Sequence, residues 1–190
     1  KDRLNKIESQ LKLADDGAKL QCKQLVIQGN SADLDSHWQE FQLPKIDLVI
    51  TSPPYGMMLN KKSLAAKERE EKDLDTQYSE DEHDLGNAKS YEEFLSRLTD
   101  IFINIKPKIK DNGYLVVILQ NYMHKGNYIT LAWDFAKRMT EHYQLRGERI
   151  WLQDNKTLFP YGYRYSYVPN VHHQYCLIFK KLAEVNENDS

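Results

Sequence analysis

No run in this 190-residue chain approaches the roughly 18 consecutive apolar residues of a membrane-spanning helix. The charged start Lys1-Asp2-Arg3 is not followed by the apolar core of a secretion signal either. Both absences point to an intracellular, cytoplasmic protein. Cysteine is almost missing. Cys22 and Cys176 each sit in an apolar, strand-like run, which excludes a disulfide framework or a cysteine metal site and leaves both as core fillers. Glycine is sparse: there are eight, no two of them separated by a single residue. That excludes a tight glycine-rich turn, the device that lets backbone come very close to a bound cofactor. A net charge of −2 does not advertise a nucleic-acid binder. Its distribution is uneven, however. Acidic residues dominate from Asn60 to Asp84, whereas basic ones dominate from Asn121 to Lys181, so the second half could meet phosphates or be an ordinary solvated surface.

What is present suits one soluble domain, with 41% hydrophobic residues over a length that can bury a sizeable core. Leu4, Ile7 and Leu11 have helical spacing, predicting an N-terminal helical segment over 1–20, with the main domain over 21–183 and a tail over 184–190. Leu25-Val26-Ile27 reads as a buried strand ending at Gly29-Asn30-Ser31, and Asp33 to Phe41 as a short helix or turn. The apolar run Ile46-Asp47-Leu48-Val49-Ile50 reads as a second buried strand. A long charged connection, 56–89, is of a length that in compact domains tends to mean a lid, a binding loop or disorder. Ser90 with Glu93 forms a capping box, and the stripe Tyr91, Phe94, Leu95, Leu98, Phe102, Ile105 predicts a helix over about 91–106. Asn112-Gly113 reads as a turn before a buried strand, 114–119. Tyr128, Ala132, Phe135, Ala136, Met139 and Tyr143 mark another helix, followed by strands 148–152 and 175–180. Alternating strands and helices with continuous apolar strands predict an α/β, doubly wound, mostly parallel sheet. The final pair, with little room for a helix between them, predicts an antiparallel strand at one edge.

The stretch with the most chemistry is Thr51-Ser52-Pro53-Pro54-Tyr55. Consecutive prolines stop the preceding strand where a parallel sheet presents its carboxyl edge, the place such sheets put ligands. The amino nitrogen of cytosine or adenine is conjugated with its ring, so its lone pair is a poor nucleophile until the nitrogen is drawn toward tetrahedral geometry. Ser52 Oγ accepting one N–H and the Pro53 carbonyl accepting the other would do this. Pro53 and Pro54 fix the carbonyl's direction, and Tyr55 offers a flat face for a base taken out of its stack. The plainer reading is a strand-ending turn with a half-buried tyrosine.

With these residues in view, the chain resembles the catalytic half of S-adenosylmethionine-dependent DNA amino-methyltransferases of the N4-cytosine/N6-adenine group. The resemblance runs from about Leu25 to Lys181 and includes Leu25-Val26-Ile27-Gln28-Gly29-Asn30-Ser31, the 46–55 signature, Gly113 to Asn121, and Pro169 to Lys180. It implies a Rossmann-like sheet, S-adenosyl-L-methionine as cofactor and a flipped-out DNA base as partner. Ser at the first catalytic position leans toward cytosine N4 over adenine N6. It further implies that Gly29, Asn30 and Ser31 lie against the adenosine of the cofactor, with Asn30 where an acidic residue is usual. His172 and His173 would line the base pocket, with at most one facing it because alternation sends them to opposite faces. Arg164, within the series Phe159, Tyr161, Tyr163, Tyr165 and Tyr167, could stack on or grip nucleic acid, or belong to a tyrosine-rich edge strand. No metal site is expected. The glycine-rich turn and the first two strands of the family sheet are missing, leaving an expected gap between 25–28 and 46–50. The cofactor-binding half is thus expected outside this chain, in a preceding segment or a second polypeptide. Two other functions stay open: a non-catalytic subunit that binds nucleic acid or a partner, and methylation of an RNA base or a protein glutamine.

Overall fold

The computed structural model describes residues 25–54, 85–124, 126–154 and 171–183. The expected N-terminal helix, Tyr55 and most of the 56–89 connection, the aromatic series with Arg164, and the tail lie outside the described residues. After a single turn at Ser31–Asp33 come α1 (Leu34–Glu40), β1 (Ile46–Thr51), α2 (Tyr91–Ile105), β2 (Ile109–Leu119), a hairpin of β3 (Tyr122–His124) and β4 (Asn127–Ile129), α3 (Leu131–Met139), β5 (Gln144–Leu152) and β6 (His173–Lys180). The main sheet has the order β1-β2-β6-β5. β1 pairs with β2 in parallel, and β6 runs antiparallel to both β2 and β5. Three strands therefore point one way, in the mixed, mostly parallel α/β class that the sequence predicts. The antiparallel strand is not at an edge, though. It lies between β2 and β5, where both rows of its backbone groups are paired.

α2 begins as its sequence dictates, with Ser90 Oγ accepting the Glu93 N–H at 3.1 Å. Glu93 in turn accepts the Lys89 N–H at 2.9 Å, and that bond, ahead of the Arg97 charge, holds its carboxyl below the usual range. The α2 stripe Phe94, Leu95, Leu98, Phe102, Ile105 is buried. It meets Leu131, Phe135 and Met139 of α3 on one face of the sheet, where the facing pairs Leu115 with Phe179, Val117 with Leu177 and Leu119 with Tyr175 complete the core. Phe135 touches Phe102 and Phe179 edge-on, at 5.4 and 6.1 Å between ring centroids. Burying each such side chain stabilises by about 1.5–3 kcal/mol, which far outweighs the intrinsic helix propensity of residues like Phe and Ile. Packing therefore fixes both helices. On the other face Leu48 and Ile50 stay 49% and 62% exposed.

Other expectations are corrected too. Residues 25–28 form no strand, and Leu25 and Val26 are exposed, because no strand among the described residues pairs with them. Among the described residues the sheet therefore has no gap in its middle, and β1 is simply an edge strand. Asn112-Gly113 is not a turn ahead of a strand but a bulge inside one. The β1–β2 register slips between Ile46–Ile109 and Leu48–Tyr114, with Asn112 at φ 63°. Gly113 is required there, since a Cβ would stand 2.7 Å from Ile109 and 2.9 Å from the Lys110 carbonyl. Lys181 stitches the bulge to the end of β6. Its backbone pairs with Asn112 and Gly113, and its buried ammonium reaches the Ile109 carbonyl at 3.0 Å and Asp111 at 3.1 Å. Finally, the third helix is shorter than its apolar pattern suggests. Tyr128 belongs to β4 and Tyr143 lies beyond the helix, because the turn at Gly126, φ 81°, folds 122–129 into a hairpin first.

Candidate active site

β1 runs into the sheet beside β2 up to the pair Thr51–Val117, and the two prolines then end it. Ser52 is exposed at this carboxyl end, and Pro53 and Pro54 are half-buried behind it. The same edge collects the end of β2, the beginnings of α2 and α3, and, because β6 is antiparallel, the beginning of β6. β6 stands two strands from β1, about 10 Å at ordinary strand spacing.

Polar side chains fasten these ends together. The Gln120 amide donates to the Val171 carbonyl at 3.2 Å, tying the approach to β6 onto the end of β2. Asn121 is fully buried, and its Oδ1 accepts the Ala132 N–H at 2.8 Å, so it caps the first turn of α3 from eleven residues earlier. Its Nδ2 has no partner among the described residues. The Tyr91 hydroxyl, at the first residue of α2, donates to Asp134 Oδ2 at 2.5 Å, and Thr130 Oγ1 donates to the same oxygen at 2.8 Å. Burial first, and the Asp134 carboxylate second, push the Tyr91 phenol far above its ordinary range. An ion pair of Glu92 with Arg138 continues the seam. The two helices that start at this edge are thus locked to each other where they face Ser52's side of the molecule.

At the start of β6 the His172 and His173 rings lie 6.3 Å apart and nearly perpendicular. His172 stands just ahead of β6, and its carbonyl accepts the Gln153 N–H at 2.9 Å, so pairing on the β5 side reaches one residue past the start of the strand. His173 meets Tyr175 edge-on at 5.0 Å, Tyr175 meets Trp133 at 6.2 Å, and Trp133 meets Tyr128 at 6.4 Å. Tyr175 is buried, and burial raises its phenol.

The Gly29-Asn30-Ser31 turn lies elsewhere. The Asn30 carbonyl accepts the Asp33 N–H at 3.0 Å, leading into α1. A Cβ on Gly29 would fall 2.1 Å from His37 Nε2, so the space glycine opens is already filled by that ring. α1 is held by an ion pair of Asp35 with Lys108 and by Lys108 over the Trp38 ring, just before β2 begins. That is the amino end of the sheet. An open depression of about 450 Å³, lined by residues such as Trp38, Leu43 and Ile46, lies at that end too. The structure therefore gathers Ser52, Pro53, Pro54 and the histidine pair at one edge and leaves the Gly29 turn at the other. Tyr55 and Arg164 lie outside the described residues.

Sequence reading overlooked Asn121, Tyr91, Asp134 and Trp133. The available signal was polarity out of place: an asparagine two residues past an apolar strand, and an aspartate in the first turn of an amphipathic helix. No cluster of His, Cys, Asp and Glu able to hold a metal occurs among the described residues, and no helix there is long and apolar enough to cross a membrane.

A family model described as DNA methylase matches residues 46–189, from the first residue of β1 through the whole sheet. Among solved structures, TTHA0409 from Thermus thermophilus, described as a DNA modification methylase, is 19% identical with a TM-score of 0.53. The match covers 82% of this chain and 53% of that one. The same protein complexed with S-adenosyl-L-methionine is 18% identical with a TM-score of 0.50, over 79% of this chain and 54% of that one. The chain thus spans about half the length of the solved relative it matches. No curated protein matches it by sequence.

Proposed function

The chain belongs to the DNA methylase family of N4/N6 amino-methyltransferases, and from that premise we propose that it methylates the exocyclic amino group of a DNA base, cytosine N4 ahead of adenine N6. The observation that carries the proposal is an exposed serine hydroxyl at the carboxyl end of a parallel strand, backed by two half-buried prolines, inside the matched region. The base, turned out of its helix, sits at this edge with one amino hydrogen on Ser52 Oγ and the other on the Pro53 carbonyl. Its lone pair is thereby freed from the ring and aimed outward. Pro53 and Pro54 hold the acceptor in place. Tyr55 supplies the stacking face, and one of the pair His172 and His173 closes the far side of the pocket. The amine's surplus proton leaves after methylation, so Ser52 acts as an acceptor that orients and not as a strong base.

S-adenosylmethionine supplies the methyl group in this reading. The described residues do not fit it well: the Gly29 turn is filled by His37 and stands at the opposite edge, and the sequence has no glycine-rich turn. We therefore assign most cofactor contacts to a partner chain or to sequence beyond this one. A non-catalytic, nucleic-acid-binding or partner-binding role is the second reading, and the same misfit favours it. Labelled methyl transfer to duplex DNA, with any co-purifying partner present, separates the two. Transfer that falls at least a hundredfold in Ser52→Ala, on the order expected for losing a preorganised polar contact to the reacting group, supports the enzyme. Transfer that survives the substitution overturns the mechanism, and DNA binding without any transfer supports the second reading.

A further inference from the structure

Trp133 is out of keeping with its helix. Leu131, Ala132, Phe135 and Met139 of α3 are fully buried, yet Trp133, the largest apolar side chain of that helix, is 51% exposed. Exposing so much aromatic surface forgoes stabilisation unless something covers it. It is not alone: Tyr128, 37% exposed on β4, leans on it at 54°, and buried Tyr175 meets it at 72°. Neither contact is a parallel stack, so these neighbours brace the indole without lying flat on it. Through Tyr175 and His173 the row continues to the start of β6, at the edge that carries Ser52.

We propose that Tyr128 and Trp133 form a stacking platform for a single-stranded DNA segment, the nucleotides next to the base held at the Ser52 edge. The proposal rests on the base-methylation reading and extends it outward from the reacting base. Two features choose this occupant over an apolar protein surface. Lys137 is exposed one helical turn along α3 at the i+4 position from Trp133, placing a cation beside the indole at a spacing suited to a base and its phosphate. The row is also continuous with the proposed base pocket, so a strand leaving the pocket is led along it. Stacking of this kind is tolerant of sequence, because every base has a π-face.

The experiment measures binding of the full chain to a fluorescently labelled 12-nucleotide single strand by anisotropy, for the native protein, Trp133→Leu, Trp133→Phe and Lys137→Gln. Trp133→Leu is expected to weaken binding about tenfold, while Trp133→Phe, which keeps a ring, retains most of it. Lys137→Gln should weaken binding and flatten its salt dependence. Equal affinity in Trp133→Leu, equal losses in the leucine and phenylalanine variants, or no binding by the native chain would each overturn the proposal. So would Trp133→Leu that changes only self-association in sedimentation. Because the strand is never methylated in this assay, its failure is distinct from that of the preceding section. Transfer that depends on Ser52 with binding indifferent to Trp133 keeps the enzyme and removes the platform, and the converse removes the enzyme and keeps the platform.

Discussion

Replacing Tyr143 by phenylalanine deletes one oxygen and is expected to lower stability by about 2 kcal/mol. The hydroxyl donates to the Phe102 carbonyl at 2.8 Å in a buried position. That carbonyl belongs to the last turn of α2, where helix geometry leaves four acceptors unpaired, and the Lys106 N–H that could have reached it bonds to Ile103 instead. Losing the bond costs about 0.5–1.5 kcal/mol, and leaving the buried acceptor unpaired costs about 1–3 kcal/mol. The two overlap, and the ring keeps its contacts with Phe179 and Lys106, so a total near the middle of these ranges is expected. In a domain of this size about 2 kcal/mol corresponds to about 4–8 °C in Tm. Urea denaturation followed by circular dichroism measures it, with the midpoint falling and the slope unchanged. A loss below about 0.5 kcal/mol would show that water or another group satisfies Phe102 equally well, and would refute the argument that Tyr143 caps the helix.

Gly29→Ala should destabilise by about 1–3 kcal/mol, because its Cβ would stand 2.1 Å from His37 Nε2. Combining it with His37→Ala should recover most of that loss, and strict additivity in the double-mutant cycle would argue against the close approach. Tyr91 and Tyr143 have phenols raised above the ordinary 10.0 chiefly by burial, aided at Tyr91 by Asp134. A folded pKa above the unfolded one means that their stabilisation is complete below about pH 10 and is lost as pH climbs beyond it. Urea midpoints should therefore hold from neutral pH to about pH 9 and fall above about pH 10, with phenolate absorbance at these residues rising only as the chain unfolds. Phenolate appearing at ordinary pH in the folded protein would contradict this.

Much of the architecture was legible because it was written in local chemistry. Ser90 and Glu93 announced the start of α2, and its apolar stripe matched the observed buried face except at Tyr91, which the core only half covers, and Thr99, a buried polar residue outside the stripe. The apolar run before Ser52 gave β1, and the paired prolines gave its end. Pairing was not legible. The triplet Leu25-Val26-Ile27 has strand composition, but a strand needs a neighbour, and composition does not record one. Asn112-Gly113 carries the strongest short turn signal in the chain, yet the same left-handed freedom serves a bulge when the flanking residues find partners on both sides. The place of β6 inside the sheet follows from contacts across long separations, which no window of sequence contains. At the site, Ser52 and the histidines were readable as residue types. Tyr91–Asp134 and Asn121–Ala132 were not, since each joins elements whose meeting is decided by the fold.

The position of β6 also governs when the molecule can form. Among the described residues β5 has no neighbour in the sheet other than β6, and β6 follows it in the chain, beyond a connection of about twenty residues. A ribosome releasing this polypeptide would expose β1, β2 and both long helices well before the strand that unites them with β5. During that interval the flank of β2 that later receives β6, and β5 with its exposed Ile150, Trp151 and Leu152, are open to misassociation. Insertion of one late strand between two waiting ones closes the sheet in a single non-local step, of the slow kind that makes nascent chains lean on chaperones.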